Sequence, residues 1–263
     1  MKRVFITGAS SGLGAALAQC YAEQGAVLGL VARRRGALEQ LAASLPDPER
    51  HRIYPLDVND HAALADAAAD FINAMEGIDV VIANAGISHG TLTDQPADLQ
   101  VFERIFATNV TATVATFAPF IPRLKQQAQT GNRHCRLVGV GSVSGIRGLP
   151  GAGAYCASKA AVISYCESLR VELKNSGIKV VTISPGYIDT PMTRVNTYPM
   201  PFLMAPEKFA ARAVRAIDAG ASYAVIPWQM GIVAKLLRLL PNWLYDAAFA
   251  NAPHKVRNAP EQR

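Results

Sequence analysis

Short apolar runs rich in Val, Ile and Leu alternate along the chain with segments whose apolar positions recur every three to four residues. Residues 4–6, 27–31, 52–56, 78–83, 136–140, 178–183 and 223–226 read as strands. Residues 13–24, 37–45, 62–75 and 154–174 read as helices, and further helices are expected across 99–127. The second helix must stop before Pro46 and Pro48, which cannot continue it. Run 78–83 is almost wholly apolar, as a strand covered on both faces requires. The alternation predicts an α/β fold: a doubly wound parallel sheet of about seven strands, with right-handed crossovers and helices on both faces.

Composition changes this picture little. The chain has 263 residues, half of them hydrophobic and 17% charged, which allows a sizeable core. No Pro/Gly/Ser linker divides it, so residues 1–227 are expected to form one domain and 228–263 a helical extension packed on it. The net charge of +6 is small and scattered, and predicts no nucleic-acid partner. Cys20, Cys135, Cys156 and Cys166 form no CxxC pair and no metal-like cluster; unpaired thiols fit a reducing cytoplasm. The N-terminus enters a strand-like run too short for a signal-peptide core. No stretch of 18 uncharged apolar residues occurs, so no transmembrane segment is expected.

Candidate chemistry begins directly after the first strand. Thr7-Gly8-Ala9-Ser10-Ser11-Gly12-Leu13-Gly14 opens a helix with the spacing GxxxGxG. Gly8 permits a tight turn, Gly12 lets backbone approach a pyrophosphate, and Gly14 lets helix and strand pack closely. The helix N-terminus offers free N–H groups and a positive dipole end. An NAD site usually carries an acid about 20 residues further on, gripping the ribose. Here the second strand ends Val31-Ala32-Arg33-Arg34-Arg35, with no acid at its tip. A guanidinium there suits the 2′-phosphate of NADP(H), with Arg33 the first choice and Arg34 the second.

At this point the chain resembles a short-chain dehydrogenase/reductase of the single-domain, NADP(H)-dependent branch, over residues 3 to about 227. The shared marks occur in order: TGxxxGxG, Asp57-Val58, Asn84-Ala85-Gly86, Asn109, Ser142, Tyr155-x-x-x-Lys159 and Pro185-Gly186. The resemblance implies a Rossmann-type fold and hydride transfer between NADP(H) and a carbonyl or secondary alcohol. The residues agree with it. Tyr155 and Lys159 stand i,i+4 on one helix face, and a nearby cation favours the phenolate of a tyrosine that otherwise titrates near 10. Tyr155 can then give or take the proton on the substrate oxygen, and Ser142 can orient that oxygen.

Further roles rest on the resemblance alone. It implies that Lys159 also holds the nicotinamide ribose, and that Asn109 supports a water-linked proton relay. It implies that Asp57 and Val58 bind adenine, and that Asn84 with Ala85 and Gly86 lines the cofactor. It implies too that Pro185, Gly186, Ile188 and Thr190 close over the nicotinamide, and that members assemble as homodimers or homotetramers. Asp189 reads as a turn residue.

Substrate choice is expected to lie with residues 87–91, 146–153, Tyr187 and 192–205. Their apolar lining suggests a hydrophobic carbonyl or alcohol, with His89 and Arg147 the titratable candidates nearby. In the tail, Pro241 should split residues 228–249 into two helices. Ile232, Val233, Leu236, Leu237, Leu239, Leu240, Trp243 and Leu244 form a broad apolar side that is expected to be buried. It is open to packing on its own domain or a subunit mate, to covering a substrate channel, or to peripheral membrane contact through Lys235 and Arg238. Residues 251–263 are expected to fray. Two rival readings are a non-catalytic NADP sensor on the same fold and a nucleotide-sugar epimerase; the second lacks the length for its substrate domain.

Overall fold

A computed structural model describes residues 1–255 and 257. Seven strands form one parallel sheet in the order β3-β2-β1-β4-β5-β6-β7. They are β1 (Arg3–Thr7), β2 (Val27–Ala32), β3 (Arg52–Pro55), β4 (Val80–Ala83), β5 (Arg136–Val140), β6 (Lys179–Pro185) and β7 (Tyr223–Ile226). This is the Rossmann-type architecture expected, each strand lying within two residues of its predicted bounds.

The two faces follow from the two-residue period of a strand. Val4 and Ile6 of β1 point to one side with Leu28, Leu30, Val80 and Ile82, under α1 (Gly12–Ala22) and α2 (Arg35–Ser44). Phe5 points to the other side, under α3 (His61–Ala74), with Phe71 5.6 Å and Phe120 4.8 Å from it between ring centroids. Gly29 is what lets these rings lie on β2, since a Cβ there would come within 2.6 Å of Phe5 and 2.8 Å of Phe71.

Residues 98–129 form a composite helix: α4 (Asp98–Phe106), a π turn (Ala107–Thr111), α5 (Ala112–Phe117), a 3₁₀ turn (Ala118–Phe120) and α6 (Ile121–Gln129). By length and composition alone it is long and apolar enough to cross a membrane. Its Phe117, Phe120 and Leu124 pack into the core beside Leu137 and Ile178. Then come α7 (Gly153–Glu172), the short α8 (Pro191–Arg194) and α9 (Pro206–Asp218), which packs against α1. The sequence reading had no helix at α9, although Phe209, Ala210, Ala213, Val214 and Ile217 mark its buried face.

Pro241 separates α10 (Trp228–Leu239) from α11 (Asn242–Phe249), as expected. The apolar side of these helices is left largely open by the chain's own fold, so of the covers expected for it, packing on its own domain is the one the fold does not supply. Leu236 is 60% exposed, Leu239 80% and Trp243 72%, and Ile232, Val233 and Leu244 are exposed too. The reason is that α10 meets the sheet through small residues. Gly231 and Ala234 are buried with Met230, and a Cβ on Gly231 would stand 3.1 Å from Val225. Close backbone approach turns the leucines outward. Of the segment expected to fray, residues 256 and 258–263 lie outside the described residues, whereas 254, 255 and 257 touch the body of the protein.

Candidate active site

The strand order reverses at β1, which lies between β2 and β4, and a crevice opens at the carboxyl ends of the strands on either side. The crevice holds a cavity of about 500 Å³. One end is lined by Ala32, Arg33, Arg34, Asp57 and Val58, and the other by Ser142, Tyr155, Lys159 and Pro185. Gly8, Ser10, Ser11, Gly12 and Leu13 form its floor after β1, with Asn84, Ala85 and Gly86 after β4. Gly186, Ile188 and Thr190 come in from the segment after β6.

The loop after β1 is shaped by sterics. Gly8 (φ +69°) and Gly12 (φ +56°) occupy the left-handed region. A Cβ on Gly14, which does not line the cavity, would fall 2.2 Å from the Gly8 carbonyl oxygen, so only glycine lets α1 settle on the loop. Thr7 Oγ1 accepts from the Asn84 and Ala85 N–H groups (3.1 and 3.2 Å), while Asn84 Nδ2 donates to the Thr7 and Gly8 carbonyls (2.9 and 3.2 Å). Asn84 therefore staples the β1 loop to the β4 loop. Ser11, the N-cap of α1, makes no side-chain capping bond. The first N–H groups of that helix are left for a ligand, and a phosphate is the natural one. The donor set thus fits a dinucleotide.

Rim contacts are more local. Arg34 donates to Ser10 Oγ (3.3 Å) and Ser10 O (3.4 Å), joining the β2 tip to the phosphate loop, and Arg33 is exposed beside it. Asp57 Oδ1 accepts from Asn59 N (2.9 Å) and Nδ2 (3.0 Å), and Val58 is buried. Asp189 pairs with Arg194 at 2.7 Å, the turn role expected of it. Thr190 caps α8 reciprocally with Thr193.

At the inner end, α7 presents Tyr155 and Lys159. Lys159 Nζ donates to Val140 O (2.8 Å) and stands 5.9 Å from the Tyr155 ring centroid. Burial pushes the Tyr155 hydroxyl up to about 12, opposed by its hydrogen bond with Ser142 and reinforced by Cys156. Burial also pushes Lys159 down to about 8. Ser142 Oγ accepts from Ser144 N (3.1 Å), which fixes the hydroxyl at the end of β5. Asn109 sits in the π turn, 1% exposed, clasping Ile87 through N (2.8 Å) and O (3.0 Å) and donating to Ser158 Oγ (2.9 Å). Gly86 separates Asn109 from Lys159, since a Cβ on it would be 3.2 Å from Asn109 Oδ1 and 3.4 Å from Lys159 Nζ.

Of the titratable candidates for the substrate side, His89 lines the cavity, but Arg147 does not. Arg147 donates to the carbonyls of Leu237 and Leu240 (the latter 2.8 Å) and lies 3.8 Å over the Tyr245 ring. It caps the end of α10, where a cation complements the helix dipole. Sequence reasoning missed Thr108 and Arg104, which line the cavity, although both lie within five residues of Asn109. It also missed Lys255, whose ammonium is 5.1 Å from the Tyr155 ring centroid. No local motif marks that residue.

A parallel sheet with a phosphate cradle and a tyrosine–lysine pair at its carboxyl rim defines a nicotinamide-dependent oxidoreductase of the α/β class. Residues 2–199 match the short chain dehydrogenase family, and the chain belongs to that family. It is thus an oxidoreductase acting on CH–OH or C=O groups. It is 35% identical over 251 residues to an uncharacterized oxidoreductase of Myxococcus xanthus, covering 94% of this chain and 96% of that one. With an uncharacterized oxidoreductase of Mycobacterium tuberculosis it shares 37% identity over 247 residues, 91% of this chain and 94% of the other. Among solved structures, the 3-ketoacyl-(acyl-carrier-protein) reductase of Brucella melitensis complexed with NADH superposes with a TM-score of 0.77 at 26% identity. That match covers 86% of this chain and 96% of the reductase.

Proposed function

We propose that the protein is an NADPH-dependent reductase of hydrophobic ketones or aldehydes, lipid-like ones included, reversible in principle. The observation that carries this reading is Tyr155 beside Ser142 and Lys159 in a cavity that also holds a phosphate cradle. The choice of NADP(H) is supported by Arg33 and Arg34 on the rim at the end of β2, where no carboxylate stands. When bound, the cofactor supplies the hydride in reduction and accepts it in oxidation. Tyr155 gives its hydroxyl proton to the substrate oxygen, and Ser142 donates a hydrogen bond that orients that oxygen. The positive charge of Lys159 favours the phenolate that remains, and its position between Val140 O and Gly86 suits a hold on the ribose hydroxyls. Asn109 orders the Ile87 backbone behind it.

The exposed apolar side of α10 and α11 supports working as a homo-oligomer or against a lipid surface. Cys135, Cys156 and Cys166, buried as free thiols, support a cytoplasmic setting. A screen of ketones, aldehydes and alcohols followed by NADPH absorbance tests the reading. Tyr155→Phe should bind NADPH as the parent does and lose more than nine-tenths of turnover. A variant keeping more than a tenth would overturn the proton-donor role.

A further inference from the structure

After α11 the chain turns back to the site. His254 lies against Gly151 just ahead of α7, where an added Cβ would come 2.7 Å from the histidine's own Cβ. Arg257 grips the buried Asp98 at the start of α4 with two bonds, 3.0 and 3.2 Å, while Asp98 also accepts from Leu92 N at 2.8 Å. Upstream, Tyr245 donates to the Gly148 carbonyl at 2.5 Å, and Arg147 covers the same ring. These contacts hold a strap of chain across the segment 147–151 that precedes Tyr155.

Lys255 lies on that strap between His254 and Arg257. Its Nζ is 5.1 Å from the centroid of the Tyr155 ring, nearer than Lys159 at 5.9 Å. Among the described residues no carboxylate or carbonyl is hydrogen-bonded to it; its partners are the Tyr155 ring and the Cys156 thiol. A half-buried ammonium over a tyrosine ring attracts the ring's electrons and favours the phenolate over the phenol. We propose that Lys255 is a second cation for Tyr155, a positioning residue that the strap delivers and that eases proton transfer at the tyrosine hydroxyl. This inference rests on Tyr155 being the proton donor of the reaction.

The other groups around Tyr155 make the need for a second cation plain. From α7 come Lys159 and Cys156, from the end of β5 Ser142, from the segment after β6 Tyr187, and from the loop beyond it Tyr198. Burial and Cys156 hold Tyr155 protonated, and Ser142 alone pulls the other way among its hydrogen-bond partners. Tyr198 is itself pushed up to about 12 by burial and by its phenolic neighbours, so it brings no charge. Lys159 is pushed down to about 8, as is Lys255, each by burial. Each lysine is therefore about half charged near pH 8, and two share what one would supply incompletely.

The test titrates Tyr155 by NMR in the full chain carrying ¹³Cζ-tyrosine and saturated with NADP⁺, with Tyr155→Phe identifying the signal. Lys255 is neutral well above pH 8, so Lys255→Met should leave the Tyr155 titration near the parent, whereas Lys255→Arg, charged throughout, should move it downward by about 1 pH unit. Arg257→Ala added to Lys255→Arg frees the strap and should undo part of that shift. At pH 7, where Lys255 carries its charge, Lys255→Met should slow turnover of a substrate from the screen several-fold, and Lys255→Arg should not. A folded Lys255→Arg protein with an unmoved Tyr155 titration overturns the proposal, and so does a Lys255→Met protein that turns over like the parent at pH 7. Because the titration needs no substrate, it also separates failure of this inference from failure of the reductase reading.

Discussion

Lys159 is 5% exposed and has one recorded hydrogen bond, to Val140 O, so its charge is held at a cost to the fold. Its folded value near 8 lies below the 10.5 of an exposed lysine. Between those values the folded chain binds fewer protons than the unfolded one, so stability rises with pH across that window and the penalty is full below about 8. Lys159→Met should therefore raise the stability of the cofactor-free protein at pH 7 by roughly 1–3 kcal/mol, with the gain shrinking toward pH 10. Urea denaturation at the two pH values reads this, and a variant less stable than the parent at both would contradict it. Turnover should fall in the same variant, the expected exchange between stability and function. At the rim, Arg33→Ala should narrow the preference for NADPH over NADH by about 1–3 kcal/mol in cofactor titrations, the range for a lost charge-assisted bond. Equal affinity for the two cofactors in the parent protein would dismiss the assignment instead.

The helices divide into those that the core needs and those that it carries. Phe117 of α5 is fully buried, stacked against Tyr165 of α7 at 6.4 Å between centroids, so Phe117→Ala should cost about 3–5 kcal/mol. Leu239 at the end of α10 is 80% exposed, and Leu239→Gln should change stability by less than about 0.5 kcal/mol. Thermal melts of the two variants would show the contrast, and a large loss from Leu239→Gln would mean that the face is covered in solution. The strands were legible because both faces of the sheet are buried, which leaves long apolar runs such as Val80–Ala83. Helix α9 was equally legible in its periodicity, but the Pro- and Met-rich stretch ahead of it reads as a loop running on to β7. The outward turn of the α10 leucines was not legible, because it depends on Gly231 meeting Val225 across 225-to-231 packing that no wheel of the helix alone contains.

At the scale of the whole molecule, the two ends of the sheet do different work. At the amino ends of the strands, Arg3 holds Asp79 through its guanidinium and its own N–H at 2.8–2.9 Å, and Asn132 adds a third partner at 2.7 Å. Burial pushes the Asp79 carboxyl up, but those bonds outweigh it and hold it below its ordinary value. At the carboxyl ends lies the crevice. Its cradle and its Tyr155–Lys159 pair stood in the sequence as motifs, since each is short and local. The strap was invisible there, because Lys255 meets Tyr155 only after 100 residues of intervening fold.

The strand order has a consequence for how the protein comes into being. β1 is made first but pairs on one side with β4, so Val4 waits for Val80 and Arg3 for Asp79, 76 residues later. Arg136 bonds the carbonyl of Ile217, 81 residues on, and Asp98 meets Arg257 after 159. Each closure gives up chain entropy before any contact rewards it, which slows folding in sheets of this kind. The phosphate cradle needs β4 in place, the Ser142–Tyr155 pair needs β5 and α7, and the strap needs nearly everything before it. Helices and half-sheets can form early during synthesis, but a competent site is the last thing the chain acquires.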